Sequence, residues 1–314
     1  MKAFALALLW PAMILSAAES SPWKIDPQPA LAPGIFGEWD DWAIASPTIL
    51  KIADKWWMFY EGVIFDEKGV RSAFGIARSD DLLTWNKHSQ NPLFTPRVSE
   101  TQSCSSPSVA RWRDAFWLVH VVSEDPFQLK PETPVTGQLA RSEDGLIWVE
   151  RANARLPIFS KTSYPFRPCL YGEENTLHLW WIGPSSKSDE ALFHSISRDG
   201  ETWSVPTQQP AKEIDNREIC CARVYPSGNY YILSYVAYDE SKQQHFLVTK
   251  TSRNARDWYS NGPPGFPLPS HIKHSAPWLV FERSGARLFY SAQQSDNTQQ
   301  LRSAFCEKKN YASR

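Results

Sequence analysis

The chain has 314 residues, a formal net charge of −1, and 42% hydrophobic and 21% charged side chains. That is a globular composition, long enough for one large core or two smaller ones. With so little net charge, composition gives no basic field for phosphate backbones or anionic lipid, and nucleic acid is set aside as a partner.

Residues 1–18 begin with Lys2, run apolar from Ala3 to Leu15 and end in Ser16, Ala17 and Ala18. A basic start, a short apolar run and a small-residue end predict a secretory signal peptide cut near Ala18. The run falls short of the roughly 20 apolar residues that span a bilayer. The expectation is therefore a secreted or periplasmic protein with no membrane partner after cleavage. Residues 19–35 are Pro-rich and read as a lead-in, and residues 36–314 read as a single domain.

From residue 45 one design recurs. The first unit runs ASPTIL (45–50), ADKWWMFYEG (53–62), FGIARS (74–79), SDDLLTW (79–85) and NPLF (91–94). The second runs SSPSVA (105–110), WRDAFWLVHV (112–121), GQLARS (137–142), SEDGLIW (142–148) and LPIF (156–159). The third has FRPCLY (166–171), EENTLHLWWI (173–182), LFHSIS (192–197) and SRDGETW (197–203). The fourth has CCARVY (220–225), PSGNYYILSY (226–235), FLVTKT (246–251) and SRNARDW (252–258). The fifth has SAPWLV (275–280), RSGARLFYSA (283–292) and LRSAFC (301–306). Opening markers at 47, 107, 168, 222 and 277 step by 60, 61, 54 and 55 residues, and Trp85, Trp148, Trp203 and Trp258 step by 63, 55 and 55.

Two β-prone runs around a polar turn make a hairpin, and a third and fourth run extend it. Four antiparallel strands repeated five times predict an all-β, five-bladed β-propeller. The last unit has three clear strands, so the N-terminal stretch at Trp23 to Asp26, or near Phe36, is expected to supply the fourth and close the ring. In the Ser-x-Asp-x-x-x-Trp phrase, Asp bonds nearby backbone amides and Trp pins the turn. Three copies of one aspartate serve architecture, since one reaction needs no repetition.

Cys104, Cys169, Cys220, Cys221 and Cys306 follow the signal segment. The odd number leaves at least one thiol unpaired, and no CxxC spacing suggests zinc. Adjacent residues of a strand point to opposite faces, so Cys220 and Cys221 are expected as separate thiols. No metal and no cofactor are expected.

The SxDLxxW turn, the opening SPTIL, the return WWMFYEG and the tail NPLF resemble the five-bladed glycoside hydrolase group. That group holds arabinanases, xylosidases, levansucrases and invertases, families 43, 62, 32 and 68 with the related 117 and 130. The pattern extends over residues 36–306. The resemblance implies a carbohydrate substrate at one end of the central channel, handled by a carboxylate base or nucleophile and a carboxylic acid. The pairing has a chemical reason: an oxocarbenium-like transition state needs a proton for the leaving oxygen and an anion or activated water opposite it.

The chain departs from the group's motifs. Ser46-Pro47 and Ser106-Pro107 stand where Asp-Pro is common, and Phe166-Arg167-Pro168 stands where the acid Glu is common. The candidates for catalysis are Asp40 or Asp41 as base and Glu218 as acid, with Glu61 and Glu100 ranked below them. Trp39, Trp42 and Tyr164 are candidates for stacking on a sugar. Ser46, Ser106, Arg167 and His274 are candidates for polar contacts, with Arg217 or Arg223 as a further donor. A guanidinium fork suits a carboxylate, so an acidic glycan is included. His120, His178 and His194 read as strand-wall residues. The competing expectation is a glycan-binding propeller that has lost catalysis, and a fainter one is a sialidase-like enzyme, against which five units instead of six count.

Overall fold

The computed structural model describes residues 21–67, 69–94, 103–123, 133–160, 166–186, 188–260, 263–268 and 277–310. The expected signal peptide lies outside them. The described residues form β-strands, with one short α-helix between the third and fourth groups and a 3-10 turn at Lys308–Asn310.

The first group is β2 (Ala43–Ile52), β3 (Lys55–Asp66), β4 (Gly69–Ser79) and β5 (Asn86–Lys87), preceded in the chain by β1 (Trp23–Ile25). The second is β6 (Ser103–Trp112), β7 (Ala115–Ser123) and β8 (Val135–Ser142), edged by β9 (Val149–Glu150) and β10 (Phe159–Ser160). The third is β11 (Cys169–Glu173), β12 (Thr176–Pro184), β13 (Glu190–Ser197) and β14 (Thr207–Pro210), followed by α1 (Ala211–Ile214). The fourth is β15 (Ile219–Ser227), β16 (Tyr230–Asp239), β17 (Gln244–Ser252) and β18 (Phe266–Leu268). The fifth is β19 (Trp278–Phe281), β20 (Gly285–Gln293) and β21 (Gln299–Glu307). Here β1 pairs antiparallel with β21, Trp23 opposite Cys306, so the N-terminal stretch adds the outer strand of this group. The first and fifth groups touch edge to edge through one parallel pairing, Ala43 with Gln299.

Each group opens with a tight hairpin. The two-residue loops Ala53-Asp54, Arg113-Asp114, Glu174-Asn175 and Gly228-Asn229 each start with a left-handed residue (φ 51°, 53°, 43° and 58°), the backbone that matches strand twist in such loops. The central strands are buried on both faces: the middle of β3 and all of β7 alternate no polar side. That pattern belongs to sheets covered on both sides.

The cores lie between successive sheets. Phe59, Phe74 and Ile76 meet Val109, Phe116 and Trp148. Val119 and Val121 meet Leu170 and Leu179, and Trp180 and Leu192 meet Val224 and Tyr235. Val236 and Leu247 then join Leu279 and Phe289, and these join Ile44 and Met58 of the first group. A cavity of about 350 Å³ is lined by residues of β2, β6, β11, β15 and β19, with Ile49, Val109, Leu170, Val224 and Leu279 on its wall. These five opening strands therefore share one cavity.

The repeated phrase is a clasp. Ser79 Oγ contacts Asp81 Oδ1 at 3.0 Å, and that carboxylate oxygen accepts the Leu83 and Thr84 N–H groups at 2.8 Å each. Trp85 Nε1 closes the turn on the Leu82 carbonyl. Asp144 and Asp199 repeat the arrangement, and Asn254 substitutes for Asp in the fourth copy. The backbone donors hold the Asp81, Asp144 and Asp199 carboxyls below the usual range. The residue after the Asp is left-handed (Leu82 φ 65°, Gly145 φ 78°, Gly200 φ 83°), which accounts for glycine in two copies.

Candidate functional site

The opening strands break their ladders at one repeated place. Pairing shifts between Ala45 and Thr48 in β2, between Ser105 and Ser108 in β6, and between Cys220 and Arg223 in β15. At these bulges Ser46, Ser106 and Cys221 have φ of 48°, 52° and 56°. A left-handed non-glycine residue costs about 1–3 kcal/mol and gathers at functional sites. The bulges sit toward the N-terminal ends of these strands, before the residues that line the apolar cavity.

Glu61 of β3 is the carboxylate at this end. One oxygen, Oε2, accepts the Ser46 hydroxyl at 3.0 Å and the Ser106 N–H at 3.0 Å. Ser106 belongs to the second group, so Glu61 ties two sheets together. Burial raises the Glu61 carboxyl above the usual range, against the pull of the Arg167 charge and of the Ser106, Ser46 and Ser72 hydrogen bonds. A carboxyl in that setting tends to keep its proton.

Arg167 stands just before β11, is 8% exposed and donates through Nη1 to the Phe166 carbonyl at 3.0 Å. Its charge also acts on both thiols of the fourth group. Arg223 of β15 is fully buried, donates through Nη1 to the Pro168 carbonyl and lies 5.4 Å from the Trp278 ring centroid. Its Nε and Nη2 have no hydrogen-bond partner among the described residues.

The five cysteines are free. The expectation that Cys220 and Cys221 point to opposite faces is corrected: both side chains pack against the same core cluster. The left-handed turn at Cys221 breaks the alternation on which that expectation rested. The neighbouring Cys221 side chain and burial raise the Cys220 thiol, and the neighbouring Cys220 side chain together with the Arg167 and Arg223 charges lowers that of Cys221.

The other predicted residues fall around this cluster. Glu218 is exposed immediately before β15; its carbonyl accepts the Tyr238 N–H at 3.1 Å and its charge acts on Cys220. Arg217 is engaged with Asp215 at 2.7 Å, and Asp215 also accepts the Tyr235 hydroxyl at 2.7 Å. Asp40 is buried, paired with Lys87 at 2.7 Å and accepting the Tyr60 hydroxyl at 3.1 Å. Tyr60 and Glu61 are strand neighbours, so Asp40 and the Glu61 carboxyl lie on opposite faces of β3. Asp41 accepts the Gly37 N–H at 2.7 Å. Trp39 packs on Tyr60 at 5.5 Å and over Gly62, where an added Cβ would come within 2.2 Å of the indole. Trp42 packs on Phe65 at 6.0 Å. Tyr164, His274 and Glu100 lie outside the described residues.

His120 is buried, edge-on to Phe94 at 5.1 Å, and neither ring nitrogen has a hydrogen-bond partner among the described residues. His178 and His194 contact each other at 3.0 Å within a stack that includes Tyr171 and Trp180. They line an outer groove of about 860 Å³ together with Tyr231 and Arg256. Among the described residues no three His, Cys, Asp or Glu side chains converge as a metal site.

No protein-family model matches the chain. The uncharacterized Mycobacterium tuberculosis protein MT1551 is 22% identical over 181 residues, 57% of this chain. The match spans 60% of that relative's length. Among solved structures, the catalytic domain of a Coprinopsis cinerea family 62 α-L-arabinofuranosidase matches with a TM-score of 0.61 at 13% identity, over 90% of this chain and 96% of the other. Zg3597, a family 117 glycoside hydrolase of Zobellia galactanivorans, matches with a TM-score of 0.61 at 13% identity, over 91% and 90%. A family 43 endo-arabinanase of Bacillus licheniformis gives 0.55 at 14% identity, over 85% and 95%. At these identities the likeness establishes fold alone: the chain has the β-propeller-like, all-β fold of glycoside hydrolases of families 62, 117, 32 and 43.

Proposed function

We propose that this chain is a five-bladed β-propeller, closed by β1, that binds an oligo- or polysaccharide at the N-terminal end of its axis and hydrolyses a glycosidic bond there. The observation that carries the proposal is Glu61, a buried carboxyl held by Ser46 and Ser106 where the opening strands converge. Its raised pKa suits a general acid that protonates the leaving oxygen. Glu218, exposed just before β15, is the proposed base. Arg167 faces the substrate, and its fork extends the range to acidic sugars. Trp39 and Trp42 provide aromatic surface beside this end. The basic, apolar and small-residue order of residues 1–18 supports export to the periplasm or the medium.

Neutral and acidic oligosaccharides, incubated with wild type and with Glu61→Gln and Glu218→Gln, test this reading. Hydrolysis by wild type, lost in both variants, is expected. The anomer released distinguishes inversion from retention. Asp40→Asn and Asp41→Asn test the competing assignment, in which the base precedes β2; loss of turnover in either of these, with Glu218→Gln unaffected, moves the base to that pair.

One observation favours a second reading. Ser46, Ser106 and Arg167 occupy places on the axis where the resembling hydrolases carry acids, and Glu61 is already fully engaged. On this reading the propeller holds a glycan without cleaving it. Oligosaccharide binding with no turnover in wild type supports it.

A further inference from the structure

We infer that Cys220 and Cys221 form a vicinal dithiol that closes to a disulfide by exchange with a small disulfide oxidant, at the end of the axis where Glu61 and Arg167 sit.

In a regular strand, neighbouring side chains diverge, and the Cβ separation of roughly 3.5–4.5 Å that a disulfide needs is out of reach. In β15 the bulge removes that obstacle. Cys221 is left-handed at φ 56°, pairing with β16 lapses between Cys220 and Arg223, and both side chains turn to the same core cluster. The same bulge in β2 and β6 is filled by Ala45-Ser46 and Ser105-Ser106, so the backbone turn does not itself require cysteine. Cys104, Cys169, Cys221 and Cys306 are buried, and Cys220 is the partly exposed residue of the five. Two guanidinium groups, Arg167 and Arg223, lie close enough to favour thiolate at Cys221, which is the attacking form in exchange chemistry.

The exchange balances as follows. The Cys220 sulfur attacks a small disulfide, forms a mixed disulfide and releases one small thiol. The Cys221 thiolate then attacks the Cys220 sulfur and releases a second small thiol. Two protein S–H bonds are lost and one S–S bond forms; the two electrons and two protons leave on the oxidant's sulfurs. Because ladder pairing resumes at Arg223, ring closure fixes the segment that carries this buried guanidinium. It also replaces two S–H groups with an apolar face beside Arg167. The inference is independent of hydrolysis and does not require a sugar.

The test uses the native full chain, fully reduced and then incubated with hydroxyethyl disulfide. Intact-mass measurement is expected to show a loss of about 2 Da, the signature of one closed disulfide. Peptide mapping after alkylation should place that bond at Cys220 and Cys221, with Cys104, Cys169 and Cys306 alkylated after unfolding. Cys220→Ser should abolish the mass loss, and Cys104→Ser should keep it. A persistent mixed disulfide on Cys220, an unchanged mass, or a bond mapped to other cysteines overturns the inference. The mapping is done on wild type, so the result does not depend on whether a variant folds.

Discussion

The two ends of the opening strands have opposite chemistry. At the C-terminal end Ile49, Val109, Leu170, Val224 and Leu279 enclose an apolar floor. Only a few residues earlier, Ser46 and Ser106 hydrogen-bond Glu61 and the Arg167 charge acts on it. The difference follows from the hydrogen-bond ladder. Where pairing is regular, alternation sends aliphatic side chains inward and the strands cohere. Where the bulges break it, backbone N–H groups turn to side chains, and Ser106 N–H reaches a carboxylate instead of a strand. Within the opening strands β2, β6 and β15, the left-handed residues sit at the end where chemistry is proposed.

Glu61→Gln breaks the comparison most severely. It keeps the shape and removes the proton, so about a 10²- to 10⁴-fold loss of turnover is expected, the usual worth of a general acid. Steady-state hydrolysis checks this, and an unchanged rate would dissociate the polar end from catalysis. Leu170→Ala probes the other end. Leu170 is 1% exposed and shared by floor and core, so truncation should cost about 2–5 kcal/mol of stability. Denaturant unfolding measures that cost, while turnover below the melting temperature should survive.

Acid should separate the regions by sign. Burial lowers the histidines to about 3 for His120, about 4 for His178 and about 3 for His194. The unfolded chain takes up these protons first, from about pH 6.5 downward, so stability is lost as pH falls toward 4. Glu61, raised in the folded state, binds its proton before the unfolded chain does and opposes that loss above the ordinary glutamate range. Melting temperatures from pH 7 to 4 should fall, and Glu61→Gln should make the fall steeper. The smallest effect is His120→Leu. Replacing a buried ring that has no hydrogen-bond partner should stabilise the fold by about 1 kcal/mol, about 2–4 °C in melting temperature, and should shallow the acid loss. A calorimetric scan of the variant at both pH values reads both changes.

The clasps and the hairpins were legible in sequence because their partners are contiguous: Asp81 bonds residues two and three places on. The outer strand at Trp23 was legible because the last unit lacked one. Glu61 was ranked low for a physical reason. It lies on a return strand, and its partner Ser106 is 45 residues away in another sheet, reached only through two bulges. The turn of Cys220 and Cys221 to the same core cluster was hidden for the same reason, since strand periodicity predicts the opposite. Asp40 stood out beside two tryptophans, yet its ion pair with Lys87 depends on pairing between β4 and β5 that no local pattern announces.

The most direct measurement is a crystal structure of the Glu61→Gln protein with an oligosaccharide that the wild type binds or cleaves. The account predicts a sugar ring against residue 61, Arg167 and Cys220, with the apolar floor empty. Sugar found instead in the outer groove of Tyr171, His178 and His194, with the polar end vacant, would contradict it.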